Sequence, residues 1–246
     1  MASMPQLIAH RGESADHPEN TLSAITAALD AGADGVEFDL QFTGDGQPVV
    51  LHDRDLRRTG ALSEFIDDLE TADVQGGLPA HEPERFGDRF AGECVPSLEA
   101  AVEAILAHPN TQARIFVEIK TETAAAIGAS TAVRRVLHAC EPLGKRLALI
   151  GFDAGMLRTA RSLGAAAIGW VVAPTSTLDR EQARVMVPDF LFADRAAVKT
   201  SGGGLWSGQW RWIIYEVNHP GEAQNLAASG VWGIETNSVA RWRAAQ

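Results

Sequence analysis

Cysteines, basic clusters and long apolar runs are all scarce in this sequence. Cys94 and Cys140 are the two cysteines among 246 residues, and neither belongs to a C-x-x-C motif. Two cysteines are too few for a disulfide framework, so we interpret each as a small apolar residue rather than as a metal ligand or a nucleophile. A chain of this length can instead bury a sizeable hydrophobic core.

Signals for membrane insertion and export are also missing. No window approaches the roughly 20 consecutive apolar residues of a membrane-spanning helix. The opening residues, MASMPQLIAH, lack the basic region and the sustained apolar region of a secretory signal peptide. We therefore expect a cytoplasmic protein without stable membrane association.

The charge balance is acidic, with a net charge of −11 and no long run of Lys or Arg. A nucleic-acid-binding protein would be expected to carry a basic stripe, so we expect no nucleic-acid partner. An anionic small molecule remains compatible with this charge, because a bound cation or a few local basic residues can reverse the potential inside one pocket. The charge leaves the oligomeric state open between a monomer and a homodimer.

Short apolar segments alternate with helical patterns along the chain. Strands are predicted over residues 7–9, 35–40, 48–51, 115–119, 147–152, 167–172, 190–193, 212–217 and 231–235. Helices are predicted over 21–31 (with Asn20 as a possible N-cap), 97–108, 123–140, 154–163, 179–185 and 221–229. Alternating strands and helices imply a parallel sheet, and about eight units favour a (β/α)₈ TIM barrel, which needs roughly 250 residues.

We predict one domain over residues 1–246, with a small insertion after the second strand at about 54–96. The insertion is charged and irregular, which suits a cap beside the functional site. An open doubly wound sheet would need a glycine-rich phosphate loop after a strand, and Gly202–Gly204 has neither that position nor that spacing. Beside these glycines, Trp206 and Trp210 indicate a mobile aromatic loop over the site.

Acidic side chains share one face of two predicted strands. In GVEFDL, Glu37 and Asp39 alternate with apolar residues, and in IFVEIK the same holds for Glu118 and Lys120. Because residues at i and i+2 point to the same side of a strand, these groups face the barrel interior near the carboxyl ends of the strands, where TIM barrels place their active sites.

Three carboxylates that converge at the mouth of a barrel repel one another, and a divalent cation relieves that repulsion. Oxygen ligands favour Mg²⁺ or Ca²⁺, with Mn²⁺ also suitable, over Zn²⁺. Glu37, Asp39 and Glu118 are therefore the candidate ligands of one divalent cation. The alternative is that they form structural salt bridges with Arg or Lys.

His10 follows the first strand directly, and His52 ends the extended segment at 48–51. Two histidines can share proton transfer, with one accepting a proton from a nucleophile and the other giving one to a leaving oxygen. Arg11 and Lys120 can bind phosphate oxygens, the first as a fork and the second as a point charge, or can pair with the nearby carboxylates.

The first 120 residues resemble the signature of glycerophosphodiester phosphodiesterases. The order and spacing of several short motifs carry the resemblance, and the second half of the chain matches only loosely. The motifs are His10-Arg11-Gly12, Pro18-Glu19-Asn20-Thr21, Glu37-x-Asp39, His52-Asp53, Val95-Pro96-Ser97-Leu98-Glu99 and Val117-Glu118-Ile119-Lys120.

The resemblance implies a TIM barrel that hydrolyses glycerophosphodiesters to sn-glycerol 3-phosphate and an alcohol with a divalent cation. It assigns acid–base catalysis to His10 and His52, metal binding to Glu37, Asp39 and Glu118, and phosphate contacts to Arg11 and Lys120. The implied partner is a small glycerophosphodiester substrate.

Several positions depart from the family pattern, and these surround the glycerol or the alcohol in such barrels. The departures are Gly151-Phe152, Glu216 before Val217-Asn218, and Thr236-Asn237. We take Phe152, Glu216 and Trp232 as further candidates for substrate binding; Glu216 could instead form a buried ion pair, and Trp232 could belong to the ordinary core.

Three other functions remain open from the sequence. A phosphodiesterase of the same fold could act on lysophospholipids, for which Phe65, Ile66 and Leu69 are the candidate apolar stripe. A non-catalytic phosphodiester-binding protein would not need both histidines and all three carboxylates. A metal-dependent aldolase or isomerase would not need paired histidines beside Arg11.

Overall fold

Eight parallel strands form a closed barrel in a computed structural model of the chain, which describes residues 4–200 and 204–245. The order around the barrel is β1-β9-β8-β7-β6-β5-β4-β2, and pairing of β1 with β2 closes it, while β3 lies antiparallel to β2. The predicted TIM barrel is confirmed. The strands are β1 (Gln6–His10), β2 (Gly35–Phe42), β3 (Pro48–Val50), β4 (Arg114–Ile119), β5 (Leu147–Gly151), β6 (Ile168–Val171), β7 (Phe190–Asp194), β8 (Arg211–Tyr215) and β9 (Gly233–Thr236).

Helices separate the barrel strands and cover the outside of the barrel. Within the described residues, none of them is long and apolar enough to cross a membrane. They are α1 (Leu22–Asp30), α2 (Arg57–Gly60), α3 (Thr71–Gln75), α4 (Pro83–Phe86), α5 (Leu98–Ala107), α6 (Thr121–Ile127), α7 (Ala129–Ala139), α8 (Ala154–Ser162), α9 (Thr177–Met186), α10 (Arg195–Thr200), α11 (Ala223–Ala228) and α12 (Val239–Ala244), with 3₁₀ turns at Ile66–Asp68, Gly87–Phe90, Glu141–Arg146 and Pro220–Glu222.

The alternation of the strands divides the apolar residues into two cores. Leu7, Val36 and Phe38 face outward and pack with helix residues such as Ile25 to form an outer core between the barrel and its helices. An inner cluster fills the lower part of the barrel, toward the amino-terminal ends of the strands. There the ring of Phe116 lies edge-on to that of Phe190, with 5.2 Å between the centroids. Because apolar side chains fill this lower part, polar groups are confined to the carboxyl ends of the strands.

Residues 54–96 fold as short helices and turns around a satellite core. This core contains Val49, Leu51, Leu56, Ile66, Val74, Ala80 and Val95. Glu82 Oε1 accepts a hydrogen bond from the backbone N–H of Glu19 at 2.6 Å, and Arg85 donates to the carbonyl of Ser14 at 2.7 Å. The segment is thereby held against the loop that follows β1.

The helix predicted over 123–140 consists of two helices in the structure. Gly128 adopts a positive φ of 84°, which ends α6 before α7 begins. The helices α10 and α12 had no counterpart in the sequence prediction. They are six residues each, too short to show a helical period clearly.

The prediction that Trp206 and Trp210 form an aromatic loop over the site is wrong. Gly202 and Gly203, which belong to the same predicted loop, lie outside the described residues. Trp206 and Trp210 are buried in the outer core rather than over the mouth of the barrel. The indole N–H of Trp206 donates to the carbonyl of Pro174 at 2.9 Å, and that of Trp210 donates to the carbonyl of Trp206 at 3.1 Å. Large aromatic rings gain more free energy from this burial than from exposure above a site.

Glu13 connects the start of the barrel to its last helix. Its buried carboxylate accepts hydrogen bonds from Ser238 Oγ at 2.5 Å and from the backbone N–H groups of Val239 and Ala240 at 2.8 and 3.3 Å. The first N–H groups of a helix have no partner within the helix, so this carboxylate caps α12 from the loop after β1.

We expect Glu13→Gln to lower the free energy of unfolding by about 1–3 kcal/mol, because it replaces a charged acceptor of a buried cap by an amide that presents its own N–H donors. Urea unfolding followed by circular dichroism measures this difference. Glu103→Gln on the exposed face of α5 removes the same charge and serves as the control. Equal stability of the two variants would contradict the capping role.

Candidate active site

A cavity of about 160 Å³ opens at the carboxyl ends of the strands. It collects most of the side chains that the sequence predicts for the site, together with one carboxylate that the sequence analysis did not single out, Glu235. The lining includes His10, Arg11, Glu37, Asp39, His52, Glu118, Lys120, Phe152, Glu216 and Glu235.

The three predicted metal ligands lie together because of the strand register. His10 on β1 is paired with Glu37 on β2, and Asp39 is paired with Glu118 on β4. One carboxylate oxygen from each of Glu37, Asp39 and Glu118 lies within 4.8 Å of the other two, and all three residues are buried. Hard oxygen donors at this spacing, with Glu37 Oε1 lacking a hydrogen-bond partner among the described residues, fit a divalent cation.

Two basic side chains offset part of this negative charge. Lys120 Nζ lies 2.8 Å from Asp39 Oδ1 and 2.5 Å from Glu118 Oε1. Arg11 lies 2.9 Å from Glu19 Oε1 and 3.3 Å from Asp39 Oδ2. The ion pairs considered as an alternative for Arg11 and Lys120 are therefore present, and both side chains also face the cavity.

The three carboxylates differ in how far neighbouring basic side chains balance their negative charge. Although burial opposes ionisation, Lys120 and Arg11 hold the pKa of Asp39 well below its ordinary value. Burial, together with the charges of Asp39 and Glu235, raises the pKa of Glu37 well above its ordinary value. Burial and Asp39 likewise raise the pKa of Glu118. Asp39 is thus the anchored carboxylate of the set.

Asn20 has a different role from the helix cap predicted for it. Its amide donates to Asp39 Oδ2 at 3.0 Å, and its carbonyl accepts the backbone N–H of Asp39 at 3.1 Å. Thr21 is the N-cap of α1 instead, accepting from the N–H of Ala24 at 3.2 Å. Asn20 adopts a φ of 58°, which Asn tolerates better than most residues.

His10 ends β1, and the turn that follows it depends on glycine. Gly12 has a φ of 81°, and a Cβ there would lie 2.5 Å from the backbone carbon of Ala24 on α1. His10 Nδ1 lies 3.3 Å from Asn237 Oδ1 and 3.6 Å from Glu216 Oε1. Both neighbours are acceptors, so Nδ1 carries the proton and Nε2 is left as the accepting nitrogen. Burial and Arg11 lower the pKa of His10, which favours the neutral ring.

His52 reaches the cavity from the hairpin formed by β2 and β3. Gln41 donates its amide N–H to the carbonyl of His52 at 2.8 Å, and the N–H of Leu51 donates to the carbonyl of Asp39 at 3.0 Å. His52 Nδ1 lies 2.7 Å from Asp53 Oδ1, and Arg58 donates to Asp53 Oδ2 at 2.8 Å. Asp53 therefore fixes the ring of His52 with Nδ1 protonated.

A second, larger cavity of about 580 Å³ adjoins the first. The two share His52, Glu118, Lys120 and Phe152. Phe152 is 58% exposed at this junction. The larger cavity continues toward the hairpin and the start of the insertion, and its other lining residues are Gln41, Asp53, Arg54, Asp55, Thr121 and Glu122.

Two remaining candidates for substrate contact, Glu216 and Trp232, lie at opposite ends of the barrel. The side chain of Glu216 is 50% exposed at the mouth, so it is not in a buried ion pair. Trp232 precedes β9 and packs at the amino-terminal end of the barrel, 5.3 Å from the ring of Phe190 and under the guanidinium of Arg211 at 5.2 Å. The prediction that Trp232 contacts the substrate is wrong, because the strand begins one residue after it.

Glu235 is the residue that the sequence analysis missed. It lies on β9, is 3% exposed, and lines the smaller cavity. In Gly233-Ile234-Glu235-Thr236, Ile234 packs in the outer core, so strand alternation alone would have placed Glu235 inside the barrel.

A sequence model of the glycerophosphoryl diester phosphodiesterase family matches residues 10–240. The chain belongs to this family. Among curated proteins, a glycerophosphodiester phosphodiesterase of Caldanaerobacter subterraneus is 40% identical over 102 residues, which cover 40% of each chain. Human glycerophosphodiester phosphodiesterase 1 is 42% identical over 113 residues, covering 46% of this chain and 33% of the human one. The alignments thus span well under half of these curated family members.

Solved structures of family members share the fold along the whole chain. An Oleispira antarctica phosphodiesterase in complex with the product sn-glycerol-3-phosphate has a TM-score of 0.84 at 22% identity, with 98% of this chain and 96% of that chain covered. A Thermotoga maritima glycerophosphodiester phosphodiesterase has a TM-score of 0.74 at 21% identity, with both chains fully covered.

We expect Asp39→Asn, in protein without divalent cations, to lower the free energy of unfolding at pH 7 by about 3–5 kcal/mol, since Lys120 and Arg11 lose a buried partner. Because the pKa of Asp39 is depressed in the folded state, its stabilisation is fully present above the ordinary value of 3.8, begins to decline below that value, and is lost completely only below the folded-state pKa. Denaturant unfolding at pH 7 and pH 3 measures this. A difference between wild type and variant that persists unchanged at pH 3 would contradict the assignment.

Proposed function

We propose that the chain hydrolyses glycerophosphodiesters to sn-glycerol 3-phosphate and an alcohol. One observation carries the proposal: two histidines, three buried carboxylates and two cationic side chains share one cavity of a family-typical barrel. Phosphodiester hydrolysis needs a way to neutralise phosphoryl charge and two positioned proton carriers, and this cavity offers groups for both.

Glu37, Asp39 and Glu118 would hold one divalent cation, Mg²⁺ or Ca²⁺, with Mn²⁺ also suitable. When bound, the ion polarises the phosphoryl group and neutralises the charge that develops on its oxygens. Arg11 and Lys120 hold the cluster in place through their ion pairs. Facing the cavity, they also supply N–H donors for phosphate oxygens.

The two histidines have different surroundings, which suit different roles. His10 lines only the smaller cavity and is favoured in its neutral form, so it accepts through Nε2 a proton from the water that attacks phosphorus. His52 lines both cavities, and the pairing of its Nδ1 with Asp53 fixes the orientation of its ring. As the P–O bond to the alcohol breaks, His52 gives its proton to the departing oxygen.

The two cavities give the substrate an orientation. The smaller one, at about 160 Å³, suits the glycerol phosphate, with Glu216 at its rim as a contact for glycerol hydroxyls. The larger one accommodates the alcohol beside Phe152. Ile66 is buried in the satellite core and Leu69 packs against it, so the apolar stripe that a lysophospholipid would need is reduced to Phe65.

Incubation with glycerophosphocholine or glycerophosphoethanolamine, with Mg²⁺, Ca²⁺ or EDTA, should release glycerol 3-phosphate in a cation-dependent way. We expect His10→Ala and Glu118→Ala to lower kcat/KM by about 10²–10⁴-fold, the range for loss of an acid–base group or an electrostatic stabiliser. His138→Ala, on the exposed surface of α7, is the control. Lack of product with every cation would end the proposal, and lysophosphatidylcholine in the same assay tests the alternative substrate.

The roles of the two histidines predict opposite responses to the leaving group. A glycerophosphodiester of p-nitrophenol needs no protonation of its leaving oxygen, because p-nitrophenolate is already a stable anion. His52→Ala should therefore recover most of its activity on this substrate, while His10→Ala should stay impaired. Release of p-nitrophenolate is followed by absorbance, and rescue of His10→Ala instead of His52→Ala would reverse the assignment.

A further inference from the structure

We propose that Glu235 is a fourth acidic group of the cation site, which accepts a hydrogen bond from a water or hydroxyl bound to the ion and so raises the affinity for a divalent cation. This inference rests on the proposed function, which places one ion between Glu37, Asp39 and Glu118. It goes further because it assigns a role toward the ion to a buried carboxylate from the last barrel strand.

The register of the strands sets the depth of Glu235 in the barrel relative to the predicted ligands. Glu235 on β9 is paired with Ile8 on β1, two residues before His10, which is paired with Glu37 on β2. Ile8 and His10 share the inward face of β1, so Glu235 lies one step deeper in the barrel than Glu37. Both side chains line the same cavity.

The carboxylate of Glu235 lacks the partners that a purely structural buried acid would have. Its Oε1 is buried and has no hydrogen-bond partner within the described part of the chain. The ion pairs of Lys120 and Arg11 go to Asp39, Glu118 and Glu19. By contrast, the buried carboxylate of Glu13 is saturated by the donors at the start of α12. A buried acceptor without a donor is destabilising, so Glu235 is held there at a cost to the fold.

Distance separates the role of Glu235 from that of the ligands. The group of carboxylate oxygens that lie within 4.8 Å of one another comprises Glu37, Asp39 and Glu118. Glu235 lies outside this group, so we assign it to an oxygen bound to the ion rather than to the ion itself. Partners of this kind orient what the ion binds, and their loss typically weakens metal affinity by about 10–100-fold.

Calorimetric titration with Ca²⁺ and with Mg²⁺, on wild type and on Glu235→Gln, tests the inference without measuring activity. Gln keeps the size of the side chain and removes its charge. We expect the dissociation constant of Glu235→Gln to rise by about 10-fold or more, and the increase in Tm on saturation with the ion to shrink accordingly. Glu235→Asp, which keeps the charge, should recover part of the affinity. Glu103→Gln, on the exposed face of α5, should bind like the wild type.

The outcomes distinguish this inference from the proposed function. Wild type that binds neither ion would remove the cation from the proposed function, and the inference would fall with it. Wild type that binds, together with Glu235→Gln that binds with the same dissociation constant, would overturn the inference alone, whatever the Tm of the ion-free variant. Glu235→Met suits the apolar barrel interior and provides a second uncharged variant if circular dichroism shows that Glu235→Gln is unfolded; the same 10-fold weakening is expected of it.

Discussion

The mouth of the barrel holds more buried acidic than basic side chains, and much of the surrounding structure serves to hold these groups in place. Four buried carboxylates, from Glu37, Asp39, Glu118 and Glu235, face one cavity in which Arg11 and Lys120 are the basic residues. Both bases are already engaged with Asp39. Such an arrangement is unfavourable in an apolar interior unless the fold holds the groups in place and another cation completes the balance. The register of β1, β2 and β4, the amide of Asn20 and the apolar floor below the site all serve to hold it.

The barrel and most of its site could be predicted because both depend on a period of two along the strands. The alternation of residue types in GVEFDL and IFVEIK predicts which side chains face the helices and which face the interior. The structure places Glu37, Asp39 and Glu118 together accordingly. The position of His10 at the end of β1 follows from the same pattern. Local patterns suffice here, because each of these residues lies on a strand whose carboxyl end is fixed by the parallel topology.

The roles of residues that depend on tertiary contacts could not be predicted from local sequence patterns. Asn20 looks like a helix cap from its neighbours alone, yet its partner is Asp39, on the next strand. Trp232 was predicted to contact the substrate from its place near a strand, but it precedes β9 and its ring packs against Phe190 at the amino-terminal end of the barrel. The glycines near Trp206 suggested exposure, whereas its indole bonds to Pro174 in the outer core. Glu235 follows the same strand alternation as Glu37, because Ile234 packs against the helices and leaves Glu235 facing the interior.

Closure of the barrel by its last strand sets the order in which a newly made chain can acquire its site. His10, the predicted ligands and His52 all belong to the first half of the sequence and emerge early during synthesis. The strand β9, which pairs with β1 and contributes Glu235, and Asn237, which holds His10, are made last, as are the residues of α12 that Glu13 caps. A nascent chain without this segment lacks the strand that closes the barrel and the residue that contacts His10. The last of the four buried carboxylates is therefore added to the mouth only when translation of the barrel is nearly finished.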